Sequence, residues 1–423
     1  MNAYRIEGGR PLAGSVEVPG SKNACLAIMS AVVLGEGATI LNNVPDVSDV
    51  RIKARLLEKF GARVEWREGS LFIDCTELKQ GDADPETVRA IRTSFYLLGP
   101  LLGRLGSAKL PVPGGCNIGA RPVDFHIKGL ELLGAKIKLD EGTYFGRTDG
   151  LVGSEIYLDF PSAGATQHLM ASATLAQGNT TILNAAVEPE IVTLADFLNR
   201  MGARIEGAGT STITIQGVER LDGCEFRIPS DRLQGGTYLL AGAITRGDVE
   251  VTNVYPESQT ALTNKLREAG ADVYEGSDSV RVRAAKRLKA IKVKTMPYPG
   301  FPTDMQQPVA AALAVADGTS VVEETIYESR IGHIPELNRL GAKIRLEGRS
   351  AIITGVERLS GAEVEASDLR AGAALCLAGL AAEGETTVRN VHFVDRGYER
   401  LAEKLTALGA RIERVGAGQT SSR

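Results

Sequence analysis

A two-domain α/β protein assembled from six repeats of about 70 residues, three per domain, is the fold class the sequence predicts. Three observations carry that expectation. The chain has 423 residues, too many for one ordinary core. A tetrapeptide of an apolar residue, Gly, Ala and a charged residue returns six times, with glycines at Gly61, Gly134, Gly202, Gly270, Gly341 and Gly409, 68 to 73 residues apart. A second glycine series, Gly37, Gly106, Gly178, Gly247, Gly318 and Gly384, runs in phase with the first.

Each repeat reads in one order. A strand leads into an Ala- and Leu-rich helix, which a glycine of the second series closes. A β-prone run follows, such as Thr180-Thr181-Ile182-Leu183 or Val249-Glu250-Val251. An amphipathic helix closed by a glycine of the first series comes next, then one or two strands. The stretch Gly217-Val218-Glu219-Arg220-Leu221 returns as Gly355-Val356-Glu357-Arg358-Leu359, about two repeats later. Three repeats to a domain put a crossing of the chain near Pro229-Ser230. A linear solenoid is the alternative, but its repeats usually run to only about 20–50 residues.

Composition narrows the function. Hydrophobic residues make up 43% of the chain and charged residues 24%, and the formal net charge is −4 with both signs interspersed. That balance points away from nucleic acid and anionic membrane as partners, while leaving room for a local arginine cluster around a small anion. The first residues, Met1 to Glu7, have no apolar core of the signal-peptide kind, and the apolar stretches near Cys25–Leu34 and Val309–Ala316 are too short to span a bilayer. The five cysteines, Cys25, Cys75, Cys116, Cys224 and Cys376, are widely spaced with no CxxC, which argues for a reducing, cytoplasmic setting.

Repeats share their packing, so departures at equivalent positions are informative. The starts of the Ala-rich helices carry Ser21-Lys22-Asn23, Arg92-Thr93, Ser162-Ala163-Gly164, Asp231-Arg232, Thr303-Asp304 and Asp368-Leu369-Arg370. The amphipathic helices are expected to open at Gly119-Ala120-Arg121-Pro122, Arg330 and Asp395-Arg396-Gly397. Helix starts present unpaired N–H groups and the positive end of the dipole, so they bind anions and disfavour cations. Six cations placed there, Lys22, Arg92, Arg121, Arg330, Arg370 and Arg396, need a counter-charge. Either they pair with carboxylates such as Asp124, Asp368 or Asp395, or they share a polyanionic ligand, the more economical reading for the set.

Cys116 lies in Pro113-Gly114-Gly115-Cys116-Asn117-Ile118-Gly119-Ala120-Arg121. The flanking glycines predict an exposed loop, and Arg121 five residues on favours the thiolate, so a reactive sulfur is expected. Cys25 and Cys376, inside Ala-rich helices, read as small buried hydrophobes. Asp304 could simply compensate a helix dipole. As one carboxylate among cations it also suits a general base. His126, His168, His333 and His392 show no metal-ligand spacing and read as ordinary surface or hydrogen-bonded histidines. No metal and no cofactor is expected.

At this point the chain resembles a known family. Pro19-Gly20-Ser21-Lys22-Asn23-Ala24, the loop from Pro113 to Asp124, Phe301-Pro302-Thr303-Asp304-Met305-Gln306 and Asp395-Arg396-Gly397-Tyr398-Glu399-Arg400 are similar to the hallmark segments of UDP-N-acetylglucosamine 1-carboxyvinyltransferases. The resemblance covers essentially the whole chain. It implies a two-domain inside-out α/β barrel with threefold internal pseudosymmetry and a cleft between the domains that substrates close. The domains would be residues 21–229, and 1–20 with 230–423, since the family's first strand joins the carboxy-terminal domain. The implied activity is transfer of an enolpyruvyl group from phosphoenolpyruvate to the 3′-hydroxyl of UDP-N-acetylglucosamine, the first committed step of peptidoglycan synthesis.

Carried over by position, the resemblance implies that Lys22, Asn23, Arg121 and Arg396 hold phosphoenolpyruvate. Arg92, the turn Arg121-Pro122-Val123-Asp124-Phe125, Ser162, Ala163, Gly164, Asp304 and Ile326 would contact the sugar nucleotide. Cys116 would be the loop cysteine, a proton donor and the target of the epoxide antibiotic fosfomycin, with Asp304 as base. Arg330 and Arg370 would help close and charge-balance the cleft. Two departures stand out. Phe160-Pro161 precedes Ser162 where some members have a lysine, and Ser48 lies where some carry another. Both could shift substrate affinity. The nearest rival is the sister enzyme acting on shikimate 3-phosphate, but Asn23 follows Lys22 here, and that sister's Gly-Asn-Ala-Gly-Thr segment is absent. A silent sugar-nucleotide sensor would not need Cys116, Asp304 and all six cations. A repeat scaffold would need neither the glycine-flanked cysteine nor cations at helix starts.

Overall fold

The computed structural model describes residues 2–81, 83–114 and 123–416. They divide into two compact units, one of residues 20–114 and 123–229, the other of 2–19 and 230–416. Each unit has its own apolar core.

One sheet pattern recurs through both units. In the second repeat of the first unit, among the described residues, three strands form an antiparallel sheet: Ser107–Pro111, Thr143–Arg147 and Lys136–Asp140. In the five four-stranded sheets of the described residues a short edge strand lies parallel to the strand that follows the inner helix, and in four of them an antiparallel hairpin completes the four. Glu155–Tyr157, Asn179–Leu183, Thr212–Gln216 and Arg204–Glu206 follow this order. So do Lys292–Lys294, Thr319–Glu323, Ser350–Thr354 and Lys343–Glu347. Alternation in Thr212–Gln216 buries Ile213 and Ile215 and leaves its threonines exposed, which fixes the register because a slip of one residue would expose both isoleucines.

The chain ends knit two of the sheets. Ala3–Glu7 lies between Glu385–Arg389 and Arg411–Val415, antiparallel to both. Ala13–Glu17 pairs in parallel with Asp248–Thr252. In the first unit, Glu225–Arg227 supplies the parallel edge of Ala38–Asn42. The chain passes between units at residues 19–20 and again at 229–230.

Inner helices such as Arg232–Ile244 and Leu369–Ala381 are buried on nearly every side. Their alanines and glycines let neighbouring helices approach closely, and an all-round apolar helix has no stable place except the interior. The outer helices, for example Ser48–Lys59 and Pro189–Arg200, bury one face only. All six glycines of the Gly-Ala series have positive φ, from +88° to +108°, the left-handed turn that ends a helix. The second series has one exception: at Gly247 the turn is made one residue earlier, by Arg246 at φ 56°. Gly247 is needed for space instead, since a Cβ there would lie 2.1 Å from the Leu12 carbonyl oxygen. Among the described residues no helix is long and apolar enough to cross a membrane.

Candidate active site

In the second unit, side chains that the sequence predicts for the site gather at the starts of the inner helices. Asp304 lies in the 3-10 turn Thr303–Met305 that leads into helix Gln306–Leu313. Its Oδ1 is 2.7 Å from Arg330 and its Oδ2 accepts from Arg370 at 3.0 Å. Both arginines are almost fully buried, at 3% and 1% exposed, whereas the Asp304 side chain retains 25% exposure. Burial works against each guanidinium, yet Asp304 and Asp368 hold Arg330 above its ordinary pKa, and Tyr398 and Asp304 do the same for Arg370. Both guanidiniums therefore stay charged, and charge-assisted bonds of this kind are roughly twice as strong as neutral ones.

Arg370 also donates to Tyr398 Oη at 2.9 Å, and that hydroxyl meets Thr237 Oγ1 at 3.0 Å. Asp368 does not bind the Arg370 guanidinium. It caps helix Leu369–Ala381 by accepting from the backbone N–H groups of Arg370 and Ala371, and takes a further bond from Gln307 at 3.1 Å. Arg396 is half-buried in the turn Val394–Arg396.

The first unit holds a second group. Lys22, at the start of helix Lys22–Ala31, is buried and lies 3.4 Å from Asp49, in the first turn of helix Ser48–Lys59. Ser21 caps the same helix, accepting from the Ala24 N–H at 3.3 Å, and Asn23 is half-buried beside it. Arg92 opens a 3-10 turn, Arg92–Leu97, whose Thr93 carbonyl accepts 2.8 Å from the wholly buried Lys53. Ser162 caps helix Ala163–Ala173, accepting from the Ala165 N–H. A Cβ at Gly164 would come within 2.5 Å of Tyr96 Oη, so a side chain there would have to displace the Tyr96 ring.

Behind Gly164 two histidines pair. His168 Nε2 accepts from the Gly99 N–H at 2.9 Å, so the neutral ring carries its proton on Nδ1 and donates it to His126 Nδ1, 2.9 Å away. Burial pushes His126 down to about 3, with Arg92 adding to the effect, and also lowers His168 well below its ordinary value. Both are neutral framework groups that join helix Asp124–Leu132 to helix Ala163–Ala173.

The comparisons with known proteins bear on this arrangement. A model of the EPSP synthase family, 3-phosphoshikimate 1-carboxyvinyltransferase, matches residues 6–405. Over 421 residues, 99% of each chain, the sequence is 50% identical to UDP-N-acetylglucosamine 1-carboxyvinyltransferase 3 of Symbiobacterium thermophilum. The chain belongs to the UDP-N-acetylglucosamine 1-carboxyvinyltransferases, within the EPSP synthase family. A second relative of that name, from Carboxydothermus hydrogenoformans, is 50% identical over 417 residues, 98% of this chain and 100% of the other. Among solved structures, the enolpyruvyl transferase NikO from Streptomyces tendae superposes with a TM-score of 0.89 at 26% identity, covering 98% of this chain and 99% of that one.

Within this carboxyvinyltransferase, the structure brings Asp304, Arg330 and Arg370 into direct contact. It also sets Val123, Asp124 and Phe125 at the start of a helix, with Asp124 exposed. Ile326 is half-buried, with its N–H donating to Glu324 at 2.7 Å. Cys116, Arg121 and Pro122 lie outside the described residues.

Three sequence expectations are corrected. Arg330 and Arg370 both pair with Asp304 and share its single charge, to which Asp368 adds at Arg330 and Asp231 at Arg370. Asp395 is engaged by Arg414, at 2.9 Å through Oδ1. The helices expected to open at Arg330 and Asp395 begin later, at His333 and Leu401, because irregular turns come first.

Glu324, Thr303, Tyr398, Asp49 and Lys53 were not singled out from the sequence. Each is a buried or half-buried polar residue tied to a predicted site residue or, for Lys53, to the neighbour of one, Thr93 beside Arg92. A polar residue within a β-prone run is a signal for the first: Val321-Val322-Glu323-Glu324-Thr325 puts two adjacent carboxylates where one must face inward.

Proposed function

We propose that the chain transfers the enolpyruvyl group of phosphoenolpyruvate to the 3′-hydroxyl of UDP-N-acetylglucosamine, with release of phosphate, in the cytoplasm. The observation that carries this reading is identity of about one half, along essentially the full length, to relatives that bear this activity in their names.

The chemistry is addition followed by elimination. Asp304 takes the proton of the 3′-hydroxyl as its oxygen bonds to C2 of phosphoenolpyruvate, C3 takes a proton, and Cys116 serves as the acid at C3 or in the departure of phosphate. In the resulting phospho-ketal, the C2–O bond to phosphate breaks while C3 gives a proton back, and the enol ether forms. Arg330 and Arg370 fix both carboxylate oxygens of Asp304, so its orientation is set before substrate arrives. Lys22, Asn23, Arg121 and Arg396 hold the phosphate and carboxylate of the donor, and the charges of Lys22, Arg121 and Arg396 stabilise the anion that develops. Arg92, Val123, Asp124, Phe125, Ser162, Ala163, Gly164 and Ile326 hold the sugar nucleotide.

Phosphate release tests the reading. The purified protein is mixed with phosphoenolpyruvate and either UDP-N-acetylglucosamine or shikimate 3-phosphate. Release with the sugar nucleotide alone is expected. Release with shikimate 3-phosphate would move the chain to the sister activity, and silence with both would leave a sugar-nucleotide sensor.

A further inference from the structure

Glu324 is buried to 2% exposure, yet it lies at the end of strand Thr319–Glu323, where the chain enters the loop to Arg330. A carboxylate in that position costs several kcal/mol of desolvation unless donors surround it. Four do. Oε1 accepts from Thr295 Oγ1 at 2.9 Å, from the Ile326 N–H at 2.7 Å and from the Tyr327 N–H at 3.1 Å. Oε2 accepts from Thr303 Oγ1 at 2.7 Å, and the same hydroxyl oxygen accepts from Arg330 at 2.9 Å.

One side chain thus ties together the end of an edge strand at Thr295, the turn that carries Asp304, the backbone of Ile326 and the guanidinium of Arg330. We propose that Glu324, acting through Thr303, is a positioning residue that sets Asp304, Arg330 and Ile326 in one geometry. The inference rests on the enolpyruvyl-transfer reading above and adds to it a residue that touches no substrate. Glu324 is too enclosed to meet a ligand, and its bonds run to the groups on either side of the proposed base. The Thr303 hydroxyl is the joint. It donates to one charged neighbour and accepts from the other, so removing it uncouples Arg330 from Glu324 and leaves the Asp304–Arg330 pair without its lateral support.

The test uses the full chain with three substitutions: Glu324→Gln, Thr303→Val and Thr303→Ser. For Glu324→Gln and Thr303→Val, kcat is expected to fall roughly 10- to 100-fold, the cost of a small misplacement of reacting groups. KM for UDP-N-acetylglucosamine should rise as well, which a mere loss of folded protein would not produce. Thr303→Ser keeps the hydroxyl and should restore both constants. Should Glu324→Gln fail to fold, Thr303→Val decides, since it preserves shape. Wild-type kcat and KM in Thr303→Val, or equal losses in the valine and serine variants, would overturn the assignment. Wild-type protein without turnover of the sugar nucleotide would instead defeat the functional reading, so the two failures are separate.

Discussion

Asp304 Oδ1 stands 2.7 Å from a guanidinium nitrogen of Arg330, and the arginine is 3% exposed. A buried cation of this kind persists only with a matched partner, because its desolvation is not otherwise offset. Asp304 divides its one charge between two such cations, since Arg370 holds its second oxygen. The proposed base is therefore also a structural counter-ion, and substitutions at this position act on both roles.

Asp304→Asn separates those roles better than Asp304→Ala. The amide keeps the shape but offers one acceptor oxygen where there were two, and it cannot take the hydroxyl proton. Turnover should fall by at least about 10²-fold, the lower range for general acid–base catalysis. Alanine leaves both arginines without a carboxylate, so Asp304→Ala should in addition lose roughly 1–3 kcal/mol of stability. Phosphate release and denaturant unfolding, run on both variants, check this. An asparagine variant at wild-type rate would remove Asp304 from the chemistry.

Stability should fall on the acid side, and the histidines give the sign. His126, His168 and His333 are buried with lowered pKa values, His126 at about 3 and His333 at about 4. Unfolded histidine binds its proton near pH 6.5, so above that pH their neutral burial carries no protonation cost. Below it the unfolded state gains protons that the folded state refuses, and stability drains away as pH falls toward 4 and then 3. At pH 5 His126 and His333 have each withdrawn about 2 kcal/mol. Burial is the main cause at His333, where Asp368 pulls the pKa up and Arg330 pushes it down, and neither ring nitrogen has a partner among the described residues. His333→Leu should therefore flatten the decline of melting temperature between pH 7 and pH 5. An unchanged slope would mean that His333 protonates without unfolding.

What the sequence made legible follows the same physics. Glycines at left-handed turns cannot be replaced freely, so their period survives in the residues, and the repeated sheets could be read from it. Helix starts were legible because caps and cations are local: Ser21, Ser162 and Asp368 all cap as their positions suggest. Pairings between distant elements were not. Asp304 meets Arg330 and Arg370 only because the two turns and a helix start converge in three dimensions, and nothing in the spacing distinguishes that from pairing with Asp395. His126 and His168 read as ordinary histidines for the same reason, since their bond joins two helices of different repeats. The Ala3–Glu7 strand could not be placed by period, because it fills a position in the last sheet from the opposite end of the chain.

The paired glycines of the repeated pentapeptide make a stability prediction. A Cβ at Gly217 would lie 1.6 Å from the Ala176 carbonyl oxygen, and one at Gly355 would lie 1.7 Å from that of Ala316. Neither contact can be relieved by a side-chain rotation, because the obstacle is backbone. Gly217→Ala and Gly355→Ala should each cost about 1–3 kcal/mol, as overpacking does. Gly416→Ala, with open space around it, should be neutral. Urea unfolding of the three variants gives the comparison, and equal midpoints would show that the backbone shifts freely here.

Thiol chemistry discriminates among the cysteines. Burial pushes the thiols of Cys25, Cys75 and Cys376 up to about 12 and raises that of half-buried Cys224. At pH 7.5 a thiol of pKa 12 is thiolate in roughly one part in 30,000, and only the thiolate attacks. The four framework thiols should therefore be slow toward electrophiles in the native protein. Cys116, with glycines before it and Arg121 after, is proposed as the reactive one. Treatment with fosfomycin should add a single adduct by intact mass, map to the peptide holding Cys116 and stop phosphate release, while Cys116→Ser should take up none. An adduct on Cys224 in its place would show that accessibility, rather than the charge around the sulfur, governs which thiol reacts.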